Sequence, residues 1–236
     1  MAYEILLKTC LAPLLIGQAL WVRHRALILP EPTGARSGQT GTGAQLRLLI
    51  VGDSSAAGVG AQTQADALSG QLLKHLAPRF SVDWHLIAQT GATTASTLEH
   101  LSALPGQPFD LVIVALGVND ITHGATLRRW LAHQNALLDM LTGRFAAQHV
   151  LVCGIPPLAH FPLLPQPLRW ILGRQSQRYD RALAVQMGAR TDATHLPFNL
   201  PFDPAKMAPD GFHPGPPAYA LWGRALAQHV AEKYQP

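Results

Sequence analysis

The sequence predicts a three-layer α/β/α sandwich with a mostly parallel sheet of about five strands, and three observations carry that expectation. Short runs rich in Leu, Ile and Val occur at Leu46–Val51, Phe109–Leu116 and His149–Cys153, as in strands buried on both faces. Stretches with leucines at helical spacing separate them, and a strand–helix alternation of this kind requires right-handed crossovers and a sheet covered on both sides. With 236 residues, 48% of them hydrophobic, the chain is long enough to bury one α/β core without a metal or disulfide staple.

Along the chain, Ile5 to Val22 is nearly apolar but interrupted by Lys8, Pro13 and Gln18. Its longest charge-free part, Thr9–Val22, has 14 residues, short of the roughly 20 that a membrane-spanning helix needs. Arg23, His24 and Arg25 follow it, whereas a cleaved signal peptide carries its basic residues in front. The segment is expected to be helical over residues 1–29, packed on its own domain or a second subunit, attached to a membrane at its surface or by a single pass, or serving as a targeting peptide. Basic residues directly after it favour a cytoplasmic body, with or without membrane association, over a secreted one. Residues 30–44 show no apolar periodicity and contain four glycines, which reads as a linker. The folded domain, residues 45–236, is then expected to open near Gln45.

Leu46–Val51 is the first strand, ending in Gly52-Asp53-Ser54. Gln64–Leu76 is a helix with Leu68, Leu72, Leu73 and Leu76 on one face, and Ser81–Ala88 a second strand. Thr93–Leu104 is a short helix closed by Pro105-Gly106. Phe109–Leu116 is the clearest strand, followed by a helix over about Ala125–Leu141 and a fourth strand at His149–Cys153. Pro156–Pro167 cannot extend that strand, because proline lacks the donor a sheet interior requires. Leu168–Met187 returns to helical period, a weak fifth strand lies near Ala189–Ala193, and a helix over Pro217–Tyr234 ends the chain.

Composition narrows the function. Eighteen Lys and Arg against 14 Asp and Glu give a formal charge of +4, but no basic run is long enough to track a phosphate backbone, which argues against nucleic acid. Cys10 and Cys153 cannot make a disulfide framework. No metal is expected, because the histidines show neither His-Glu-x-x-His nor clustered ligand spacing, and no Walker loop or dinucleotide fingerprint follows a strand. No cofactor is implied.

In open α/β sheets the ligand site lies beyond the carboxyl ends of the strands. That places four segments together: Asp53-Ser54-Ser55, Thr90-Gly91, Asn119-Asp120, and Asp210-Gly211-Phe212-His213. Ser54, at a strand-to-helix turn, suits a nucleophile if a base activates it. His213 and Asp210, three residues apart in one loop, suit base and orienting carboxylate. Gly91 offers an unobstructed backbone donor and Asn119 a side-chain amide, so with the Ser54 amide three donors are available for a developing oxyanion.

These segments, in this order and each at an expected strand end, resemble the four blocks of the SGNH/GDSL hydrolases, a family of serine esterases, lipases and related acyl hydrolases with an SGNH/flavodoxin-like sandwich. The resemblance spans residues 52 to 214. It implies Ser54 as nucleophile, His213 as base, Asp210 as its orienter, and the Ser54 amide, Gly91 amide and Asn119 side chain as oxyanion hole. Asp53 would hold the turn and Asp120 would support Asn119. Ser55 departs from the leucine common at that place, which changes packing beside the nucleophile and not the nucleophile itself. The Gly-x-Ser-x-Gly elbow of the α/β-hydrolases is absent.

The expected activity is a serine carboxylesterase or lipase-like hydrolysis of small acyl esters through an acyl-enzyme. A carbohydrate O-deacetylase, a thioesterase or lysophospholipase, and an acyltransferase use the same triad, and a non-catalytic binding protein is the alternative of another class. Two apolar stretches are candidates for an acyl pocket or for ordinary loop anchors: Gly154–Arg169, with Ile155, Leu158, Phe161, Leu163, Leu164 and Leu168 followed by Trp170, and His195–Met207, with Phe198, Leu200 and Phe202.

Overall fold

The computed structural model describes residues 2–199 and 202–233, with side chains from residue 11 onward. In chain order the elements are α1 (Ala2–Arg25), β1 (Ser37–Thr40), β2 (Ala44–Gly52), α2 (Ser54–Ala57), α3 (Leu68–Leu76), β3 (Phe80–Ala88), α4 (Thr94–Ser102), β4 (Leu111–Ala115), α5 (Val118–Thr122), α6 (Leu127–Gly143), β5 (His149–Cys153), α7 (Leu168–Gly188), β6 (Ala193–Leu196) and α8 (Pro216–Lys233). The strands form one sheet in the order β1-β3-β2-β4-β5-β6. All neighbours are parallel except β1, which runs antiparallel to β3.

Alternation along each strand divides the core into two layers. In β2, Leu46, Leu48 and Ile50 face one layer while Leu49 and Val51 face the other. The same split runs through β4, with Leu111 and Ile113 opposite Val112 and Val114, and through β5, with Leu151 opposite Val150 and Val152. Every one of these side chains is buried, so the strands read in sequence as unbroken apolar runs instead of alternating ones. On one face α3 and α8 contribute Leu68, Leu72, Tyr219 and Leu226; on the other, α4, α6 and α7 contribute Leu101, Trp130, Leu137 and Leu183. Removing each large apolar side chain from water stabilises the fold by about 1.5–3 kcal/mol before entropy is counted. The α3–α8 contact is close because Gly223 lacks a side chain: a Cβ there would stand 2.7 Å from the Leu72 amide nitrogen.

The stretch 30–44, expected to be a linker, contains the edge strand β1, and β2 begins at Ala44 instead of Leu46. Its residues Ser37 to Thr40 pair with His85 to Val82. An exposed four-residue strand of Ser, Gly, Gln and Thr buries no apolar face, so hydrophobic periodicity carries no trace of it. The helix expected from Gln64 starts at Leu68, because the Gln64 side chain is used in a turn: its Nε2 donates to the Ala57 carbonyl and its Oε1 accepts from Ser69. The last strand lies at Ala193–Leu196, downstream of the expected Ala189–Ala193, since α7 runs on to Gly188.

Helix α1 rests on α7. Leu15 and Val22 pack against the core, and Gln18 donates to the Gln166 carbonyl (2.6 Å) while accepting from the Leu168 amide (3.1 Å). Leu14, Ile16, Leu20 and Trp21 on its other side are half exposed or more. Among the described residues no helix is long and apolar enough to cross a membrane.

Candidate active site

The turn after β2 is fixed by sterics and by one carboxylate. A Cβ on Gly52 would stand 2.4 Å from the Ala56 Cβ and 2.6 Å from the Ala115 carbonyl oxygen, so only glycine lets the chain enter α2 against β4. Asp53 then caps α2, its Oδ1 accepting from the Ser55 amide (3.0 Å) and the Ser55 hydroxyl (2.6 Å). Burial pushes the Asp53 carboxyl up, and the bonds from Ser55 offset part of that rise. Gly58, at φ +99°, closes the short helix, its amide donating to the Ser54 carbonyl. Ser54 is thereby held on the first turn with its hydroxyl facing the segment before α8.

That segment brings in His213 and Asp210. The His213 Nε2 lies 2.9 Å from Ser54 Oγ, and its Nδ1 lies 2.5 Å from Asp210 Oδ2. The other Asp210 oxygen accepts from the Phe212 and His213 amides at 2.9 and 3.0 Å, across a turn in which Gly211 takes φ +64°. Burial raises the Asp210 carboxyl, but the hydrogen bonds from His213 and the two amides outweigh it and leave it below its ordinary value. The three side chains form a continuous chain from carboxylate to imidazole to hydroxyl.

Asn119 sits in α5, entered through Gly117 at φ +134°, where a Cβ would press on Ile155 and Trp130 at 3.2–3.3 Å. Its Nδ2 donates to the Ala92 carbonyl at 2.9 Å, tying α5 to the loop that carries Gly91. Gly91 has φ +80° and open space where a Cβ would stand. Behind this pair, the buried Asp120 accepts from the Thr94 amide (3.0 Å) and hydroxyl (2.9 Å), and Gln134 Nε2 donates to the same hydroxyl (3.1 Å). Burial raises the Asp120 carboxyl, with the Thr94 bonds acting against it.

Ser54, Asn119 and His213 open on one cleft whose exposed surface is mostly apolar, with the Asp203–Lys206 ion pair (2.6 Å) on its wall. Phe161 and Phe202 stack at 5.7 Å, Phe161 meets Phe212 edge to face at 5.3 Å, and Phe212 meets the His213 ring at 5.3 Å. An aromatic wall thus runs from the cleft to the histidine. Of the apolar stretches singled out in the sequence, Phe161, Phe198, Phe202 and Met207 line the cleft. Ile155, Leu158, Leu164 and Leu168 are buried core residues instead, and Trp170 is exposed on the surface of α7 with the Arg174 guanidinium over its ring. Leu200 lies outside the described residues. Leu221 and Trp222 of α8 also line the cleft and were missed, because at helical spacing they read as one more core-facing stripe. Among the described residues no three His, Cys, Asp or Glu side chains are gathered as metal ligands.

A Ser–His–Asp chain at the carboxyl end of a parallel sheet, beside an apolar cleft, defines a hydrolase of the serine type. The chain belongs to the GDSL-like Lipase/Acylhydrolase family, whose model matches residues 50–221. Solved structures share the fold at low identity. The psychrotrophic esterase EstA from Pseudoalteromonas sp., inhibited by monoethylphosphonate, is 19% identical with a TM-score of 0.61, covering 79% of this chain and 97% of its own. An acetylxylan esterase from Geobacillus stearothermophilus is 16% identical with a TM-score of 0.57, covering 82% and 96%. A family 2 carbohydrate esterase with a carbohydrate-binding domain, from Corynascus thermopiles, is 15% identical with a TM-score of 0.63, covering 82% and 68%. No curated protein matches the chain.

Proposed function

We propose that this hydrolase cleaves carboxylic esters with an apolar acyl group, through an acyl-enzyme on Ser54. The observation that carries the proposal is the Asp210–His213–Ser54 hydrogen-bonded chain ending at a cleft walled by Phe161, Phe198, Phe202 and Trp222. His213 Nε2 takes the hydroxyl proton as Ser54 Oγ attacks the ester carbonyl, and Asp210 steadies the imidazolium that forms. The oxyanion is received by the Asn119 amide group and the Ser54 and Gly91 backbone amides. His213 then protonates the departing alkoxide. Water deprotonated by the same histidine attacks the acyl carbonyl, and the acid leaves as Ser54 recovers its proton. The mostly apolar lining favours an acyl chain over a sugar, whose hydroxyls would find few polar partners there beyond the Asp203–Lys206 ion pair.

The test is the rate of hydrolysis of nitrophenyl esters of two to sixteen acyl carbons by the protein and its Ser54→Ala variant. Turnover lost in the variant, with an optimum above two carbons, supports the proposal. Covalent inactivation by a phosphonate monoester, of the kind that inhibits the Pseudoalteromonas esterase, should fall on Ser54. Equal rates for the two proteins would sink the serine mechanism, and turnover confined to acetyl esters would move the substrate to acetylated sugars.

A further inference from the structure

Residues 31–40 precede the part of the chain that the family model matches, which starts at residue 50, yet they are bound to the loops around Ser54. Glu31 Oε1 accepts from the Thr90 amide (2.9 Å) and the Thr90 hydroxyl (2.7 Å). Its Oε2 meets Arg36 Nη1 at 2.8 Å, and Arg36 also donates through Nη2 to the carbonyl of Ala88, the last residue of β3. Next to it Pro32 sits on Gly58, where a Cβ would meet the proline ring at 2.8 Å. Thr33 exchanges backbone bonds with Gln62 (3.2 Å) and Gln64 (2.8 Å). One strap therefore grips both the turn after α2 and the loop after β3, and it grips that loop at Thr90, one residue before Gly91.

We propose that Glu31 is a positioning residue for the oxyanion hole: by fixing Thr90 it holds the Thr90–Gly91 peptide, and with it the Gly91 N–H, where the developing oxyanion needs it. This rests on the serine mechanism proposed above. Gly91 itself is exposed, with open space where a Cβ would stand; it lies in a turn closed by the Ala92 amide on the Gln89 carbonyl (3.1 Å), and because glycine adds no side chain to hold that turn, its direction is fixed by contacts made to the turn's other residues. Asn119 holds the loop on the Ala92 side and Glu31 on the Thr90 side. Arg36 gives the arrangement an electrostatic sense, because a bare carboxylate near a developing oxyanion would oppose it, and the guanidinium neutralises that carboxylate.

The experiment compares Glu31→Ala, Glu31→Gln, Thr90→Val and the double variant Glu31→Ala/Thr90→Val with the parent, reading kcat and KM on a nitrophenyl ester, Tm, and amide hydrogen exchange of the peptide 88–94. Expected for Glu31→Ala is a kcat lower by roughly 10-fold, a KM within about two-fold, a Tm little changed because the ion pair is partly solvent-exposed, and faster exchange confined to 88–94. Glu31→Gln keeps an accepting oxygen and restores most of kcat, and the double variant is no worse than Glu31→Ala, as for residues acting through one contact. A kcat within two-fold of the parent in Glu31→Ala, a loss that appears in KM or follows Tm, or unchanged exchange in 88–94 overturns the proposal. Failure of the serine mechanism shows separately, as equal rates for the parent and Ser54→Ala, while the exchange measurement still decides whether Glu31 holds the loop.

Discussion

His213 Nε2 meets Ser54 Oγ at 2.9 Å across 159 positions of sequence, and the contact depends on Asp210, which fixes the histidine through its ring and its backbone amide together. Replacing Asp210 by Asn keeps the size and one accepting oxygen but removes the charge that steadies an imidazolium. The expected result is a kcat lower by up to about 10⁴-fold with KM little changed, read by steady-state ester hydrolysis. Because the Asp210 carboxyl is held below its ordinary value, it stays ionised through mildly acidic pH. The acid limb of kcat/KM in the parent should therefore not report protonation of Asp210.

Asn119→Ala should lower kcat by roughly 10²–10³-fold, the effect of losing one oxyanion donor. Part of the loss should come from release of the Ala92 carbonyl, which the Asn119 amide binds. Phosphonate inactivation, which builds a tetrahedral anion on Ser54, should slow in parallel, whereas binding of the acid product should be unaffected. A kcat within a few-fold of the parent would remove Asn119 from the oxyanion hole.

Phe202 and Trp222 both line the cleft, and shortening either opens it without touching the Ser54–His213 contact. Phe202→Ala should shift the chain-length optimum of nitrophenyl esters upward and weaken kcat/KM for short chains, each lost methylene contact being worth about 0.8 kcal/mol. An unchanged chain-length profile in both Phe202→Ala and Trp222→Ala would place the acyl group elsewhere.

At the start of β4, far from this chemistry along the strands, Asp110 accepts from the Arg47 amide (2.8 Å), Arg47 Nε (3.1 Å) and Nη2 (2.6 Å), and from Gln148 (2.9 Å). The bonds from Arg47 hold the Asp110 carboxyl below its ordinary value. A depressed carboxyl contributes stability above its unfolded pKa, about 3.9, and the contribution is lost as pH falls through the folded value. Asp110→Asn should therefore melt lower than the parent at pH 7, and the two melting curves should converge below about pH 4. A gap that persists at acid pH would assign the stabilisation to hydrogen bonding alone.

What the sequence made legible follows from burial. Strands β2, β4 and β5 are covered on both faces, so their composition is dictated by the core and shows as apolar runs. The Ser54–His213–Asp210 chain was legible for a different reason: Ser54 follows the end of β2 and Asp210 and His213 stand just before α8, where glycine-bounded turns such as Gly52-Asp53-Ser54 mark the site. What stayed hidden is what touches nothing apolar. The strand β1 and the Glu31–Thr90 contact are made of backbone bonds and exposed polar groups, and polar residues beside glycines look the same in a linker as in a strap. The cleft wall from Trp222 was hidden by the opposite ambiguity, since an aromatic at helical spacing looks alike whether it meets core or substrate.

The lone antiparallel partner of the sheet also has a bearing on solubility. Strand β3 carries nine residues, among them Val82, Trp84 and Leu86, and its outer hydrogen-bonding edge is occupied by Ser37 to Thr40. A chain cut back to residue 44 would retain every residue that the family model matches, yet it would present that edge unpaired, as a template for recruiting strands from other molecules. The short, charge-poor segment before β2 thus works as an edge guard.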